Sequence, residues 1–501
     1  MQKIIVNAKD VVSKKPDFFN YCVGSGRAYE SLGAENQRHM KTAKDECGFK
    51  YLRFHGLLHD DMGVCKRFGD GSIRYNFQYI DLLFDYMLDI GIRPFIELGF
   101  MPRDIASGKT TLFFWQGNVT MPTSLDEWAK LVRALLTHCI ERYGIDEVLT
   151  WPIEVWNEPN LRAFFDTDHP FDDYMLLYEA SAKAVKEVDP RLQVGGPATA
   201  GCGWIPEFIS ACVEKNLPLD FITTHHYDAE DCKGGEGFLD VYGTGAIKLC
   251  TDAKSLYHGA KSVYDAVKAS ALPNLKIHFT EWGITYCPRD PSNDSYFSGV
   301  HLLRSLKDFV GLVDSMSFWV FSDIFEEGGA GPEHFHGGFG LQNIQGIKKP
   351  TFIAYKYLNM LSENMLQCED DDCFCTASED SVEVLFWNYS RPQITDSNNE
   401  YFARNLKPLD VEDTSICISG IEDGEYTLTK YGLGYGINDA YTEYKKYSFN
   451  STLSKAQVEE IKSKTSGAPI SCENITVCGG VFEATQKMRE NDVYLYVLKK
   501  A

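Results

Sequence analysis

Two glutamates hold positions from which paired carboxylate chemistry can be done. Glu158 follows the run Trp151–Trp156 in Trp156-Asn157-Glu158-Pro159, and Glu281 ends the run Lys276–Thr280 ahead of Trp282-Gly283. Two carboxyl groups flanking one bond suit glycoside hydrolysis, in which one protonates the leaving oxygen and the other attacks the anomeric carbon. A sugar site also needs apolar platforms and hydrogen-bond donors. Trp115, Trp156, Trp282 and Trp319 fall at or near the ends of similar short runs, with His55, Asn157, His225 and Tyr227 close to others. A single glutamate is ordinarily a solvated charge; two at matching positions among aromatics point to catalysis. Glu97 and Glu154 lie inside their runs and read as buried partners in structural hydrogen bonds.

Bringing residues 158 and 281 together requires a fold that gathers the ends of many strands. Trp128, Leu131, Val132, Leu135, Leu136, Cys139, Ile140 and Tyr143 recur three or four apart, predicting a helix from Asp126 to Tyr143. Ser124 with Glu127 fits a capping box at its start, and Gly144 a stop. Further helices are predicted from about Asn76 to Ile90 and from Asp172 to Val188. Between them lie Tyr51–Phe54, Ile92–Leu98, Trp151–Trp156, Gln193–Gly195, Phe221–Thr224, Lys276–Thr280 and Ser315–Phe321, with a first strand near Tyr21–Val23. Eight strands alternating with helical pattern predict an α/β fold, a closed (β/α)8 TIM barrel, whose chemistry sits at the C-terminal ends of the strands. An open doubly wound sheet would want a nucleotide loop after the first strand, and Gly24-Ser25-Gly26 lacks the third glycine. Past residue 361 the pattern changes to alternating segments such as Val382–Trp387 and Val493–Val497, broken by turns such as Glu422-Asp423-Gly424. The expected division is a catalytic barrel over residues 12–361 and an accessory all-β, sandwich-like domain over 362–501, to which residues 1–11 add a strand. The acidic run Glu369–Asp372 reads as a solvated linker between them.

Several segments resemble glycoside hydrolase family 39, and within it the β-xylosidase branch. They are Phe54-His55-Gly56-Leu57-Leu58-His59-Asp60-Asp61-Met62, Glu154-Val155-Trp156-Asn157-Glu158-Pro159-Asn160, Phe279-Thr280-Glu281-Trp282-Gly283, Phe321-Ser322-Asp323-Ile324-Phe325-Glu326-Glu327 and Phe335-His336-Gly337-Gly338-Phe339-Gly340. Asn-Glu-Pro alone is common to a whole clan of barrel glycosidases; five ordered segments are a far more specific signal. The resemblance implies a retaining mechanism with Glu158 as acid/base, Glu281 as nucleophile, and carboxyl groups roughly 5–5.5 Å apart. It implies that Asn157 meets the sugar 2-hydroxyl and that His55, His225, Tyr227 and Glu327 line the −1 subsite over a Trp319 floor. Of the doublet Glu326-Glu327, the second is favoured. Trp115 is a further aromatic platform. The implied substrate is a small xylo-oligosaccharide, losing single terminal β-D-xylosyl units. A sibling reading keeps the machinery for an α-L-arabinosyl or uronide sugar; a uronide would need a basic residue facing its carboxylate, for which Arg103, Lys109 and Arg162 are candidates. A barrel that binds carbohydrate without catalysis would usually have lost one of the glutamates.

Composition bounds the rest. The 501 residues are 44% hydrophobic and 24% charged, which excludes disorder over most of the length. Forty-nine basic against 71 acidic residues give a formal charge of −22, which disfavours nucleic acid and anionic membrane as partners. No signal-like segment and fifteen scattered cysteines fit a cytoplasmic protein with reduced thiols. Neither a metal nor another cofactor is expected: the clan needs none, adjacent histidines such as His225-His226 usually point apart, and Cys368, Cys373 and Cys375 lack the spacing of a standard zinc site. A homo-oligomer is anticipated as an option, with Gly432–Tyr447 either reaching a neighbour or forming an ordered loop.

Overall fold

The computed structural model describes residues 2–232, 247–447 and 452–501. Eight parallel strands close on themselves in chain order: β1 (Cys22–Arg27), β2 (Tyr51–His55), β3 (Arg93–Leu98), β4 (Pro152–Val155), β5 (Gln193–Thr199), β6 (Phe221–Tyr227), β7 (Lys276–Gly283) and β8 (Ser315–Phe318), with β8 pairing β1 through Phe318 and Val23. Each is followed by a helix that packs back on it, the arrangement of a (β/α)8 barrel. The helix after β3 runs from Leu125 to Tyr143 with Trp128, Leu131, Val132, Leu135, Leu136 and Cys139 buried. The Ser124 hydroxyl oxygen accepts the Glu127 N–H, but the Glu127 carboxylate is taken by Arg67 at 2.7 and 3.1 Å, so it is not the reciprocal half of a capping box.

Alternation along the strands stacks the barrel interior in layers. Tyr51, Arg53 and His55 are successive inward residues of β2, as Phe95 and Glu97 are of β3. Phe95, Phe221 and His278 close the N-terminal end as a cluster of edge-on rings 5.3–5.9 Å apart. Above them lies a layer of ionisable side chains, Arg53, Glu97 and Glu154, all fully buried. Above that layer the register of β7 slips against both neighbours, between Thr224 and His225 of β6 and between Phe279 and Trp282 beside β8. Such irregularities re-aim side chains; here consecutive residues Thr280 and Glu281 both reach groups inside the barrel.

Beyond the barrel lies a seven-stranded sheet in the order Val11–Lys14, Asn364–Leu366, Cys373–Ala377, Ser381–Trp387, Val493–Lys500, Gly424–Leu433 and Ser471–Val477, whose three central strands from Cys373 to Ala377, Ser381 to Trp387 and Val493 to Leu498 are buried on both faces. Phe374, Leu385, Trp387, Val493 and Leu495 belong to the barrel's core. The alternate residues Cys373, Cys375, Val384, Phe386, Tyr494 and Tyr496 pack toward a three-stranded sheet of Gln2–Asn7, Thr414–Ser419 and Val481–Gln486. The N-terminal strand lies parallel to Thr414–Ser419, burying Ile4 and Val6.

Some expectations need correction here. The C-terminal region is not wholly β: helices Asn398–Phe402, Ala440–Lys445 and Lys455–Lys464 interrupt it. Of the two readings left open for Gly432–Tyr447, the structure shows an ordered segment against its own chain, with Ala440 and Tyr444 buried beside Phe335 and Ile347. The acidic run is only partly a solvated linker: Glu369 and Asp371 are exposed, but Asp372 accepts from the Trp387 indole at 3.0 Å and from Arg304 at 3.3 Å, and Asp370 accepts from Gln2 at 2.9 Å. Gly24 has a packing role: a Cβ there would fall 2.5 Å from the Trp319 ring.

Candidate active site

A buried arginine organises the centre of the barrel mouth. Arg53 donates from Nη1 to Glu281 Oε1 at 2.6 Å, from Nε and Nη2 to Glu154 Oε1 at 2.9 and 2.7 Å, and from Nη2 to Asn157 Oδ1 at 2.8 Å, with Glu97 Oε2 at 2.9 Å. Glu97 and Glu154 thereby act as the structural partners expected of them. Arg53 itself was not singled out by the sequence reading, although a charge between Leu52 and Phe54 in a strand was a visible signal. With its Oδ1 turned to Arg53, Asn157 keeps a buried Nδ2 donor without a hydrogen-bond partner among the described residues.

Glu158 and Glu281 face each other across this layer, with one carboxylate oxygen of each within 4.8 Å of the other. Glu158 sits at φ 45°, in the left-handed region that a non-glycine residue adopts only under structural constraint, immediately after β4. Glu281 is held from two sides, by Arg53 on Oε1 and by the Tyr227 hydroxyl, which donates to Oε2 at 2.7 Å. Burial raises the carboxyl pKa of both. For Glu281 the positive charge of Arg53, the adjacent His55 and the Tyr227 bond pull it back. For Glu158 the negative charge of Glu281 adds to burial and drives it well above the usual carboxylate range. These opposing influences bias a shared proton toward Glu158.

The hydrogen-bond polarity behind Glu158 agrees. Thr280 donates its only hydroxyl proton to Glu154 Oε2 at 2.7 Å, so at 3.1 Å it can only accept from His225 Nε2. Burial, then the charge of Arg53, push the His225 pKa well down, so the ring is neutral. A neutral ring that donates from Nε2 has a bare Nδ1, and Nδ1 lies 2.9 Å from Glu158 Oε1. That acceptor fits a protonated Glu158.

The cavity above the pair encloses about 440 Å³ and is lined by both glutamates, His55, Tyr227, Trp319 and Glu327, with Phe164, Tyr286, Phe339 and Asp231 beyond them. Such a volume suits a small molecule. Among the described residues its lining holds no lysine or arginine. His55 lies against Trp319, ring centres 4.8 Å apart with the planes tilted by 53°, and is held neutral by burial, its pKa lowered to about 3; Glu97 fixes its Nδ1 at 2.7 Å. Glu327 lies 3.7 Å from His55 Nε2 and is half-buried, whereas Glu326 turns outward to Arg27 at 2.6 Å. His225 and Asn157 stand behind the wall and touch it through Glu158 and Arg53. Trp115 does not join the group. It packs on Phe100 and Phe113, which separate it from His55, and faces a second hollow with His59, Arg103 and Lys109. Arg103 and Arg162 are paired with Asp60 and with Asp166 and Asp168, outside the cavity. Phe164, Tyr286, Phe339 and Asp231 were missed by the sequence reading because they come from loops whose course the strand pattern leaves open.

Two groups among the described residues place ligand-type atoms close enough for a cation: Glu158-His225-Glu281 and Cys368-Cys373-Cys375. In the first, both Glu281 oxygens are already engaged by Arg53 and Tyr227, which leaves the carboxylate compensated. His226 turns away to Ser255 at 3.1 Å, and His334 accepts from the Leu453 N–H at 3.0 Å.

A family model described as glycosyl hydrolases family 39 matches residues 2–411. A β-xylosidase of Caldicellulosiruptor saccharolyticus is 35% identical over 468 residues, covering 92% of this chain and 91% of that protein. One from Geobacillus stearothermophilus is 40% identical over 375 residues, covering 74% and 73%. The crystal structure of a monomeric β-xylosidase from Caulobacter crescentus CB15 superposes with a TM-score of 0.95 at 37% identity over the whole of both chains. No helix among the described residues is long and apolar enough to cross a membrane.

Proposed function

The chain belongs to glycosyl hydrolase family 39 and is a retaining glycoside hydrolase, and from that premise we propose that it removes terminal β-D-xylosyl residues from xylo-oligosaccharides with Glu158 as acid/base and Glu281 as nucleophile. The observation that carries the assignment of roles is that an oxygen of each carboxyl lies within 4.8 Å of the other, with the Arg53 and Tyr227 donors both on Glu281.

In the first step the protonated Glu158 gives its proton to the glycosidic oxygen as that bond to the anomeric carbon breaks. A Glu281 oxygen forms the ester bond to the same carbon, and the shorter oligosaccharide departs as an alcohol. Esterification removes the Glu281 charge, so Glu158 becomes easier to ionise. It then takes a proton from water, whose oxygen attacks the anomeric carbon and displaces Glu281 as carboxylate. The Asn157 Nδ2 donor is suited to the 2-hydroxyl, a contact that strengthens as positive charge develops on the ring. Trp319 and Phe339 supply apolar walls. The cavity's lack of basic residues among those described favours a neutral pentose over a uronide.

Turnover of 4-nitrophenyl β-D-xyloside, with proton NMR of the first sugar anomer released, tests the reading. The expected first product is the β anomer, and Glu158→Ala should stall deglycosylation until azide restores turnover. An α first product, or no turnover on any pentoside, overturns it.

A further inference from the structure

The geometry points to a second site, unrelated to the sugar cavity: a thiolate site for a thiophilic d10 cation such as Zn2+, formed by Cys368, Cys373 and Cys375. Cys373 Sγ lies 3.3 Å from Cys368 Sγ and 3.8 Å from Cys375 Sγ, and all three sulfurs lie within 4.8 Å of one another. Zn–S bonds of about 2.3 Å in a tetrahedron place neighbouring sulfurs about 3.8 Å apart, the scale of this triangle. A disulfide would use two of the sulfurs and leave the third buried beside it.

The backbone explains why the Cys-x4-Cys-x-Cys spacing differs from familiar zinc motifs. Cys373 and Cys375 are alternate residues of one strand, so both point to the same side of the seven-stranded sheet, while Phe374 between them points to the barrel. Cys368 reaches the same point from the preceding turn. That turn is held in part by bonds that do not involve the sulfurs, Asp370 Oδ1 accepting from the Asp372 N–H at 2.8 Å and from Gln2 at 2.9 Å, beside a Cys373 thiol that donates to the Asp370 carbonyl at 3.4 Å. The acidic stretch Glu369–Asp372 makes the entrance attractive to cations. Lys307 donates to the Cys373 carbonyl at 2.8 Å, placing a positive charge beside what would become an anionic tris-thiolate complex. Cys373 and Cys375 are buried while Cys368 is partly exposed, so the cation enters from the turn. Among the described residues no fourth histidine, cysteine or carboxylate joins the group, which leaves one position to water. Binding drives the thiol protons into solvent, and its effect is to tie the turn to the strand.

The test uses the full-length protein, stripped of metal under a non-thiol reductant and titrated first with Co2+ and then with Zn2+. One equivalent of Co2+ should give a thiolate-to-cobalt charge-transfer band that one equivalent of Zn2+ removes. Cys368→Ser, at the partly exposed position, should bind at least tenfold less metal while keeping full xylosidase activity. A Cys472→Ser/Cys478→Ser double variant should retain the band. Binding below a tenth of an equivalent, a band that survives Cys368→Ser, or a Cys368–Cys373 disulfide found by mass spectrometry before reduction would each overturn the site.

Discussion

Replacing Tyr227 by phenylalanine isolates the bond that separates the two glutamates. The ring and its packing remain, and only the hydroxyl 2.7 Å from Glu281 Oε2 is lost. A hydrogen bond to a buried charged group is worth about 1.5–3 kcal/mol. It favours the ionised carboxylate, so its loss raises the Glu281 pKa; at about 1.4 kcal/mol per unit the rise is about 1–2 units. Arg53 still holds Oε1 at 2.6 Å, which places the expectation at the lower end. The acidic limb of kcat/KM against pH reports ionisation of the nucleophile in the free enzyme, so it should move upward by about one unit. The alkaline limb, set by loss of the Glu158 proton, should stay in place, because above the new acidic limb Glu281 carries the same charge as before. The bell narrows from the acid side only. The assay is the pH profile on 4-nitrophenyl β-D-xyloside, with thermal denaturation as a control for folding. An acidic limb that stays within about 0.3 units of the parent, or an alkaline limb that moves in its place, would refute the assignment of Tyr227 to the ionised partner.

Thr280→Val removes the acceptor of His225 Nε2–H, freeing the imidazole to carry its proton on Nδ1, where it favours ionised rather than protonated Glu158. We expect about a 10–100-fold loss on xylobiose, whose leaving group needs the proton, and a much smaller loss on 4-nitrophenyl xyloside; equal losses on both would contradict the relay. A second expectation concerns stability. Glu30 and Glu97 are driven by burial to about 8, above the ordinary glutamate value of their unfolded forms, so the folded state holds protons that the unfolded state has released. That contribution is complete below about pH 4.5 and is lost as pH rises through about 8, at about 1.4 kcal/mol per unit for each group. Thermal midpoints should fall between about pH 5 and 8 and level off above that, and fall less steeply in Glu97→Gln; a flat profile across that window would show that these carboxyls are ionised in the folded protein at neutral pH.

The parts of this architecture that were legible in the sequence are those that depend on local pattern. Apolar runs of three to seven residues alternating with helical periodicity sufficed to count eight strands, since a parallel barrel buries its strands on both faces. Glu158 and Glu281 stood out because they follow such runs. What did not follow is whatever depends on a third dimension. Trp115 precedes a turn near the mouth, yet Phe100 and Phe113 stand between it and His55. The irregular registers around β7 have no sequence marker, but they bring Thr280 and Glu281 to bear on different partners. The acidic run looked solvated because composition does not reveal that Trp387, Arg304 and Gln2 come to meet it.

Arg53 shows why motif and mechanism are different kinds of information here. A buried arginine with three buried carboxylates is not an efficient device for stability, since desolvation costs at least offset much of the attraction. Its effect is to break a symmetry. Glu158 and Glu281 are the same residue type, equally buried and within 4.8 Å, and in isolation either could keep the shared proton. Arg53 contacts Glu281 directly and meets the other site only through Asn157, while Tyr227 donates to the same carboxylate as Arg53. On the opposite side, Glu158 meets the bare nitrogen of a neutral His225, which accepts a proton-bearing oxygen and offers nothing to an ionised one. The proposed roles of acid and nucleophile therefore rest on the neighbours each glutamate has. A barrel that kept both glutamates but lost this arginine would keep the motif and lose the charge separation on which the two-step reaction depends.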